Sequence, residues 1–159
     1  MADVPPPACG AEDERFRTFG LLLEAHTRLT RLLDADLQRT DGISLQTFEV
    51  LLRISRSPEG RLTMTDLAGE VALSTGGVTR LADRLTDDGL VERQACPSDR
   101  RRVHLALTPK GQDVLEAAMG HHSAALEEHL HARIDPADLP VLERVLDTLR
   151  QPADNDLPV

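Results

Sequence analysis

The chain has 159 residues, of which 40% are hydrophobic and 28% are charged, as is typical of a single globular domain. Aromatic residues make up only 2%, which argues against a stacking platform for single-stranded nucleic acid. No apolar run approaches the roughly 20 residues of a membrane span, and the acidic N-terminus lacks the apolar stretch of a secretory signal. We therefore expect a cytoplasmic protein with no membrane partner.

Charge is distributed unevenly along the chain. The formal net charge is -9, which by itself opposes contact with phosphate groups. The segment from Arg93 to Arg102 nevertheless holds four arginines and one aspartate. A small basic region on an acidic body is compatible with a protein that touches DNA at a few points and binds it with a strong salt dependence.

The N-terminal part predicts a tail followed by a long helix. Residues 1–11 contain three consecutive prolines and predict a disordered tail. Residues 12–39 carry apolar residues at helical spacing without an intervening proline. This stripe is longer and wider than one small domain needs, so we expect it to bury surface against a partner. It includes Phe16, Phe19, Leu23, His26, Leu33 and Leu37.

Three shorter helices are predicted next. Ser44 is a good N-cap for a second helix over residues 45–56, and Thr63 with Asp66 resembles a capping box that opens a third. A turn at residues 73–75 precedes a fourth helix that runs to about residue 88, where Gly89 ends it. The inner face of this fourth helix consists of Val78, Leu81, Ala82 and Leu85.

The hydrophobic period then changes to that of strands. Residues 90–93 and 103–107 predict one β-hairpin, whose tip from Cys96 to Arg100 is rich in turn residues. Thr108-Pro109 predicts the start of a fifth helix over about 109–133. Asp135-Pro136 repeats that signal for a sixth helix over about 136–150, before a loose tail at 151–159. The inward residues predicted for the sixth helix are Leu139, Leu142, Val145, Leu146 and Leu149.

This order of elements predicts a mainly α fold with a small β-hairpin wing, that is, a winged helix-turn-helix. The fourth helix would be the recognition helix, because its outer face presents threonines and arginines. Arginine offers a bidentate fork to guanine, and threonine can contact phosphate or a thymine methyl group. Gly76 and Gly77 each cost about 1 kcal/mol in a helix interior. They would either allow a close approach to phosphate or only loosen the turn.

The predicted wing tip holds three consecutive arginines, Arg100 to Arg102. An arginine at such a tip can enter the minor groove, and Asp99 can pair with Arg101 and fix its direction. The alternative is a solvated charged turn. The candidate DNA contacts are Thr65, Ser74, Thr75, Gly76, Gly77, Thr79, Arg80, Arg84, Arg100, Arg101 and Arg102, with Asp99 as wing support.

The motifs within residues 73–111 closely resemble those of the MarR family of bacterial winged helix-turn-helix regulators. They are Leu73-Ser74, Val78-Thr79-Arg80, the run from Gly89 to Arg93, Asp99 with Arg101, Leu107-Thr108 and Gly111. The resemblance in helix order extends over about residues 12–150. It implies one domain, with a winged DNA-binding part at about 44–108 and dimerisation helices at 12–40 and 109–150.

The resemblance also implies function. Such a protein is a homodimer that binds a near-palindromic operator in double-stranded DNA, most often as a repressor. A small-molecule effector, commonly an aromatic acid or phenol, binds between the dimer helices and the winged part. We expect the same here, with His26 as a candidate pocket residue and Phe19 and Phe48 as its apolar walls. A histidine on an apolar face can equally be an ordinary core or interface residue.

Two other kinds of sensing stay open within this fold. Four histidines, at 121, 122, 129 and 131, suggest zinc, but no pair has the i, i+4 spacing of a tight site, so no metal ligand is assigned. Cys9 and Cys96 fit no disulfide or metal spacing. Cys96 lies near arginines that would favour its thiolate, so its oxidation could disturb DNA binding, whereas Cys9 lies next to acidic residues.

Other functional classes have less support. No nucleophile–base pair, phosphate-binding loop or paired acid suggests an enzyme, and we assign no catalytic residue and no cofactor. A winged-helix scaffold for protein–protein contacts is the remaining alternative from a different class. Such a scaffold would not require the threonines and arginines of the fourth helix or an arginine-rich tip.

Overall fold

The computed structural model describes residues 13–70, 75–95 and 103–151. Six α-helices and three short strands make up this part of the chain. Their order is α1 (Glu14–Asp41), α2 (Leu45–Arg56), β1 (Arg61–Thr63), α3 (Met64–Glu70), α4 (Thr75–Asp87), β2 (Val91–Ala95), β3 (Val103–Leu107), α5 (Pro109–His129) and α6 (Leu139–Arg150). The mainly α class with a β wing is confirmed. Among the described residues, no helix is both long and apolar enough to cross a membrane.

Predicted N-cap residues are found at the starts of several helices. The Ser44 hydroxyl accepts a hydrogen bond from the Thr47 amide at 3.1 Å, at the start of α2. The Thr63 hydroxyl accepts one from the Asp66 amide at 3.1 Å, at the start of α3. These side-chain oxygens satisfy backbone donors that a first helical turn leaves unpaired, so both predicted caps are confirmed.

The core lies where α2, α3 and α4 pack over the small sheet and the first half of α5. All four residues predicted for the inner face of α4, from Val78 to Leu85, are buried. They share the core with Phe48, Leu51, Ile54, Leu67, Leu90, Val91, Leu105 and Leu115. The face of α4 that its helical period predicts to be apolar is therefore the face that packs into the core.

The sheet has one strand more than predicted. Its order is β1–β3–β2 with both pairings antiparallel, so β3 lies in the middle and the predicted hairpin is only part of the sheet. The missed strand pairs Arg61 with Ala106 and Thr63 with His104. Three residues are too few to show the alternation of a strand, and this one runs directly into the cap of α3.

The C-terminal helix bounds differ from the prediction. Helix α5 ends at His129, and a 3-10 turn at His131–Arg133 follows it. Helix α6 starts at Leu139 instead of about 136. The carboxylate of Asp135 accepts the Ala137 amide at 2.9 Å, so the Asp-Pro pair forms a separate turn ahead of the helix.

The described part of the chain leaves much of the apolar surface of α1 and α6 exposed. No residue of α6 is buried, contrary to the inward positions predicted for its apolar residues. Val145, Leu146 and Leu149 are 46%, 45% and 66% exposed. The first half of α1 is equally open, with Phe16 and Phe19 at 66% and 59%. The predicted stripe on α1 is real, but only its last part, at Leu33 and Leu37, is buried. The predicted tails at residues 1–11 and 151–159 lie outside the described residues, apart from Gln151.

The start of α5 is fixed against the end of α4. Thr108 accepts the Gly111 amide at 3.0 Å and donates to the Gly89 carbonyl at 2.7 Å. A Cβ placed on Gly111 would lie only 1.9 Å from the backbone oxygen of Leu90. The two backbones therefore touch at a point where only glycine fits.

Replacing Gly111 by alanine should strongly destabilise the fold. The added methyl group meets backbone, which cannot rotate away, and overpacking of this kind costs about 1–3 kcal/mol or more. Gly120→Ala is the matched control, because it lies in the same helix with nothing within 4 Å of its added Cβ. That variant should gain about 0.5–1 kcal/mol from helix propensity. Urea denaturation at one fixed protein concentration measures both, and equal effects of the two substitutions would contradict the contact.

Candidate nucleic-acid interface

The predicted recognition helix presents its polar residues to solvent. Thr79, Arg80 and Arg84 are exposed, whereas the opposite face of α4 is buried. Neither Arg80 nor Arg84 has a carboxylate partner within the described ranges. With Gln46 of α2 and half-buried Gly77, the two arginines line a shallow cavity of about 240 Å³. Two guanidinium groups on one exposed helix face are thus available for an external anion.

The C-cap of α4 sets the direction in which the chain continues into the following strand. Gly89 has φ +69°. The Leu90 amide donates to the Leu85 carbonyl at 2.9 Å, and the Gly89 amide donates to the Thr86 carbonyl at 3.0 Å. This is a Schellman C-cap, which needs a left-handed residue at the position of Gly89. The recognition helix is therefore followed at once by β2, the first strand of the wing.

The remaining predicted DNA contacts fall into two groups. Thr65 is exposed on α3, and Thr75 and Gly76 begin α4. Ser74, and the wing-tip residues Asp99, Arg100, Arg101 and Arg102, lie outside the described residues, as do Cys9 and Cys96. The close approach of Gly76 and Gly77 to a phosphate stays a prediction.

An ion pair that the sequence did not indicate joins α4 to the wing. Arg93 of β2 donates from Nη2 to Asp83 Oδ1 at 2.5 Å. Arg93 belongs to the segment predicted to be basic, so this contact neutralises one of its four arginines. The two residues are ten apart in sequence and lie on elements of different period, so no spacing rule pairs them.

The three predicted effector residues lie in different surroundings. His26 is exposed and lies in an open groove of about 580 Å³ between α1 and α2, with Arg31, Asp34 and Glu49 among its lining residues. Phe48 is only 3% exposed and contacts His122, with ring centroids 4.5 Å apart. Phe19 lies on the open half of α1, two helical turns before His26. His26 is therefore not a core residue of the single chain, and its role in an effector pocket stays a prediction.

The histidines of α5 make separate contacts and do not form one cluster within the described residues. His129 Nε2 lies 2.7 Å from Asp36 Oδ2, and His121 Nδ1 lies 2.9 Å from Asp41 Oδ1, so both join α5 to α1. Within the described ranges, no three His, Cys, Asp or Glu side chains come together as a metal site. His122 instead packs on Phe48, and its buried Nδ1 has no hydrogen-bond partner among the described residues.

Comparison with known proteins decides the family. The model for the MarR family matches residues 41–102, which begin at the end of α1 and extend into the predicted wing. The structure of Sco3205 from Streptomyces coelicolor, a MarR family transcriptional regulator in complex with DNA, superposes with a TM-score of 0.80. It is 30% identical, and the match covers 92% of this chain and 95% of that one. The chain belongs to the MarR family.

Curated MarR-family relatives agree with this assignment. The multiple antibiotic resistance protein MarR of Salmonella typhimurium is 29% identical over 126 residues, 79% of this chain and 85% of that protein. The transcriptional repressor MprA of Escherichia coli is 30% identical over 81 residues, 51% of this chain and 46% of that protein. The match to the family model includes the helix-turn-helix and most of the motifs within residues 73–111.

Stability should fall at mildly acidic pH because of His122. Burial lowers the pKa of His122, and the nearby Glu49 carboxylate opposes this only in part. The unfolded residue, with a pKa near 6.5, therefore binds a proton at higher pH than the folded one. Its contribution to stability is present above about pH 6.5 and is lost as the pH falls below that value. Urea denaturation at pH 7.5 and at pH 5.5 measures the loss.

His122→Leu should remove this part of the pH dependence. His131→Leu is the control, because the His131 side chain is 51% exposed. A pH dependence in the His122 variant that equals that of the unmodified chain would show that the residue is not responsible.

Proposed function

We propose that this chain is a homodimeric, sequence-specific transcriptional repressor that binds a near-palindromic operator in double-stranded DNA and is released by a small molecule. The observation that carries the DNA-binding part is the exposed pair Arg80 and Arg84 on a recognition helix whose other face is the core. Membership of the MarR family supports it, as does the likeness to Sco3205 in complex with DNA. The name of MprA, a transcriptional repressor, supports repression.

The helix-turn-helix frame explains how the arginines would act. Buried aliphatic side chains pack the inner face of α4 against the core, so the helix can enter a major groove without refolding. Guanidinium groups would then read guanine edges or hold phosphates. The acidic remainder of the chain opposes general attraction to DNA, so binding would depend on these few contacts and would weaken as the salt concentration rises.

The dimer is supported by the uncovered apolar faces of α1 and α6. Phe16, Phe19, Leu146 and Leu149 expose between 45% and 66% of their surface. Exposed apolar surface on this scale is typical of an interaction site. A second copy would cover it by two-fold symmetry, and the two recognition helices would then reach half-sites about one helical turn apart.

The effector would bind in the groove between α1 and α2 that His26 lines. Arg31 lies in the same groove and has no carboxylate partner in the described part of the chain, so it could hold an aromatic acid or phenolate. A molecule that binds only the state unable to hold DNA would shift the equilibrium and release the operator. Zinc binding and oxidation of Cys96 are the other signals to test for an effect on DNA binding.

Arg80→Gln and Arg84→Gln should each weaken operator binding. Loss of a base contact costs about 1–3 kcal/mol, and loss of a phosphate contact reduces the salt slope by about 1. Fluorescence anisotropy with DNA from upstream of the chain's own gene, at two salt concentrations, measures both effects. Arg133→Gln is the matched control with the same change of charge, on the 3-10 turn far along the sequence from α4. Unchanged binding in the α4 variants would reject the interface and favour a protein partner.

Leu146→Glu should dissociate the dimer and weaken DNA binding with it. The carboxylate would face an apolar partner surface, and burying an unpaired charge is strongly unfavourable. Thr148→Glu adds the same charge at the edge of this apolar face, about 200° around the helix from Leu146, and should disturb the dimer much less. Light scattering after size-exclusion chromatography distinguishes monomer from dimer. A dimer that tolerates glutamate at Leu146 would exclude this face.

A further inference from the structure

Asp83 is an unexpected residue on the outer face of the recognition helix. It lies one turn after Thr79 and Arg80, and its side chain is 51% exposed. A carboxylate on a surface that meets phosphates adds repulsion, while the arginines beside it add attraction. An aspartate here can accept from a cytosine amino group, but the structure gives this carboxylate a partner within the protein.

The partner of Asp83 lies on the wing. Alternation along β2 puts Arg93 on the same sheet face as Val91, which is buried beneath α4. This orientation brings the Arg93 guanidinium to the carboxylate of Asp83 at 2.5 Å. The pair is locally neutral, so it cancels the repulsion that Asp83 would add, and it occupies Arg93.

Besides the Schellman hydrogen bonds that close α4, the other side-chain contacts between α4 and the wing are apolar. Leu85, Leu90 and Val91 are all buried, and they hold the helix against the sheet by apolar packing, which has no preferred direction. Among the described residues, Asp83 and Arg93 form the ion pair that joins α4 to β2. A charge-assisted hydrogen bond depends on angle as well as distance, so this pair restrains the direction in which β2 leaves the helix.

We propose that the Asp83–Arg93 ion pair is a positioning pair that sets the angle of the wing against the recognition helix. The proposal rests on the DNA-binding function proposed above. Strand β2 advances about 3.3 Å per residue beyond Arg93, so a small tilt at the pair becomes a larger displacement further along the wing. Neither residue needs to touch DNA, because the pair acts through α4 and the wing, which would have to reach one half-site together.

The test combines two single substitutions, their double and a charge exchange. Asp83→Asn and Arg93→Gln should each weaken operator binding about tenfold, and the double variant should be no weaker than either single one. The exchange of Asp83→Arg with Arg93→Asp should restore affinity to within about threefold. The salt slope of Arg93→Gln should equal that of the unmodified chain, because Arg93 contacts no phosphate.

A readout without DNA tests the positioning directly. Hydrogen exchange of the backbone amides of β2 should be faster in Asp83→Asn and return toward the unmodified rate in the exchanged pair. The midpoint of thermal unfolding should change by less than about 4 °C, since exposed ion pairs contribute little to global stability.

Glu59 and Arg61 supply the matched control. They form an ion pair at the same 2.5 Å distance, next to the opposite edge strand of the same sheet. Glu59→Gln and Arg61→Gln make the same changes of charge and should alter affinity by less than about twofold.

Three outcomes would overturn the proposal. If Asp83→Asn tightens binding while Arg93→Gln reduces the salt slope by about 0.9, Arg93 is a phosphate contact and Asp83 competes for it. If both single variants bind and exchange like the unmodified chain, the pair does not position the wing. If the unmodified chain has no affinity for DNA, the proposed function fails and this inference fails with it.

Discussion

The backbone contact between Gly111 and Leu90 is the constraint on which the arrangement of the DNA-binding part depends. At this point the end of the recognition helix, the start of the wing and the start of α5 meet without an intervening side chain. Thr108 adds hydrogen bonds to both sides of the contact, and the Lys110 ammonium donates to the Asp88 carbonyl at 2.6 Å. The direction of α4 is thereby tied to α5, the helix that packs along α1.

This connection gives a physical route between the two ends of the molecule. A shift of α5 relative to α1 would be carried to the recognition helix, because the Gly111 contact has no room to absorb it. The histidine–aspartate contacts at His121 and His129 lie between those same two helices. A molecule in the proposed groove between α1 and α2 would reach α4 by this route only if it shifted α1 against α5.

Sequence reasoning succeeded where local chemistry determines structure. The caps at Ser44, Thr63 and Thr108 and the stop at Gly89 follow from side-chain and backbone hydrogen bonds within a few residues. The core face of α4 follows from its period. The family motif ending at Gly111 was recognised by resemblance, and the structure supplies its physical reason in the contact with Leu90.

The sequence did not predict features in which residues far apart along the chain determine strand pairing or burial. Strand β1 exists because β3 offers it a partner, and nothing in three residues shows this. The apolar face of α6 was predicted to be buried, but periodicity does not say whether the cover comes from the same chain. His26 and Phe48 both looked inward on their own helices, yet α1 and α2 pack so that only Phe48 is enclosed. The Asp83–Arg93 pair was missed because it joins a helix to a strand.

The uncovered face of α6 has a consequence for how the chain folds. A helix of 12 residues is marginal in water when nothing packs against it, and α6 buries no residue of its own. Its order must then be supplied by whatever covers it. In the proposed homodimer that cover is another copy of the chain, so the last helix would become ordered as the copies associate. Because dimerisation depends on protein concentration, fewer copies would be dimeric when the protein is scarce. In those monomers α6 would be unfolded.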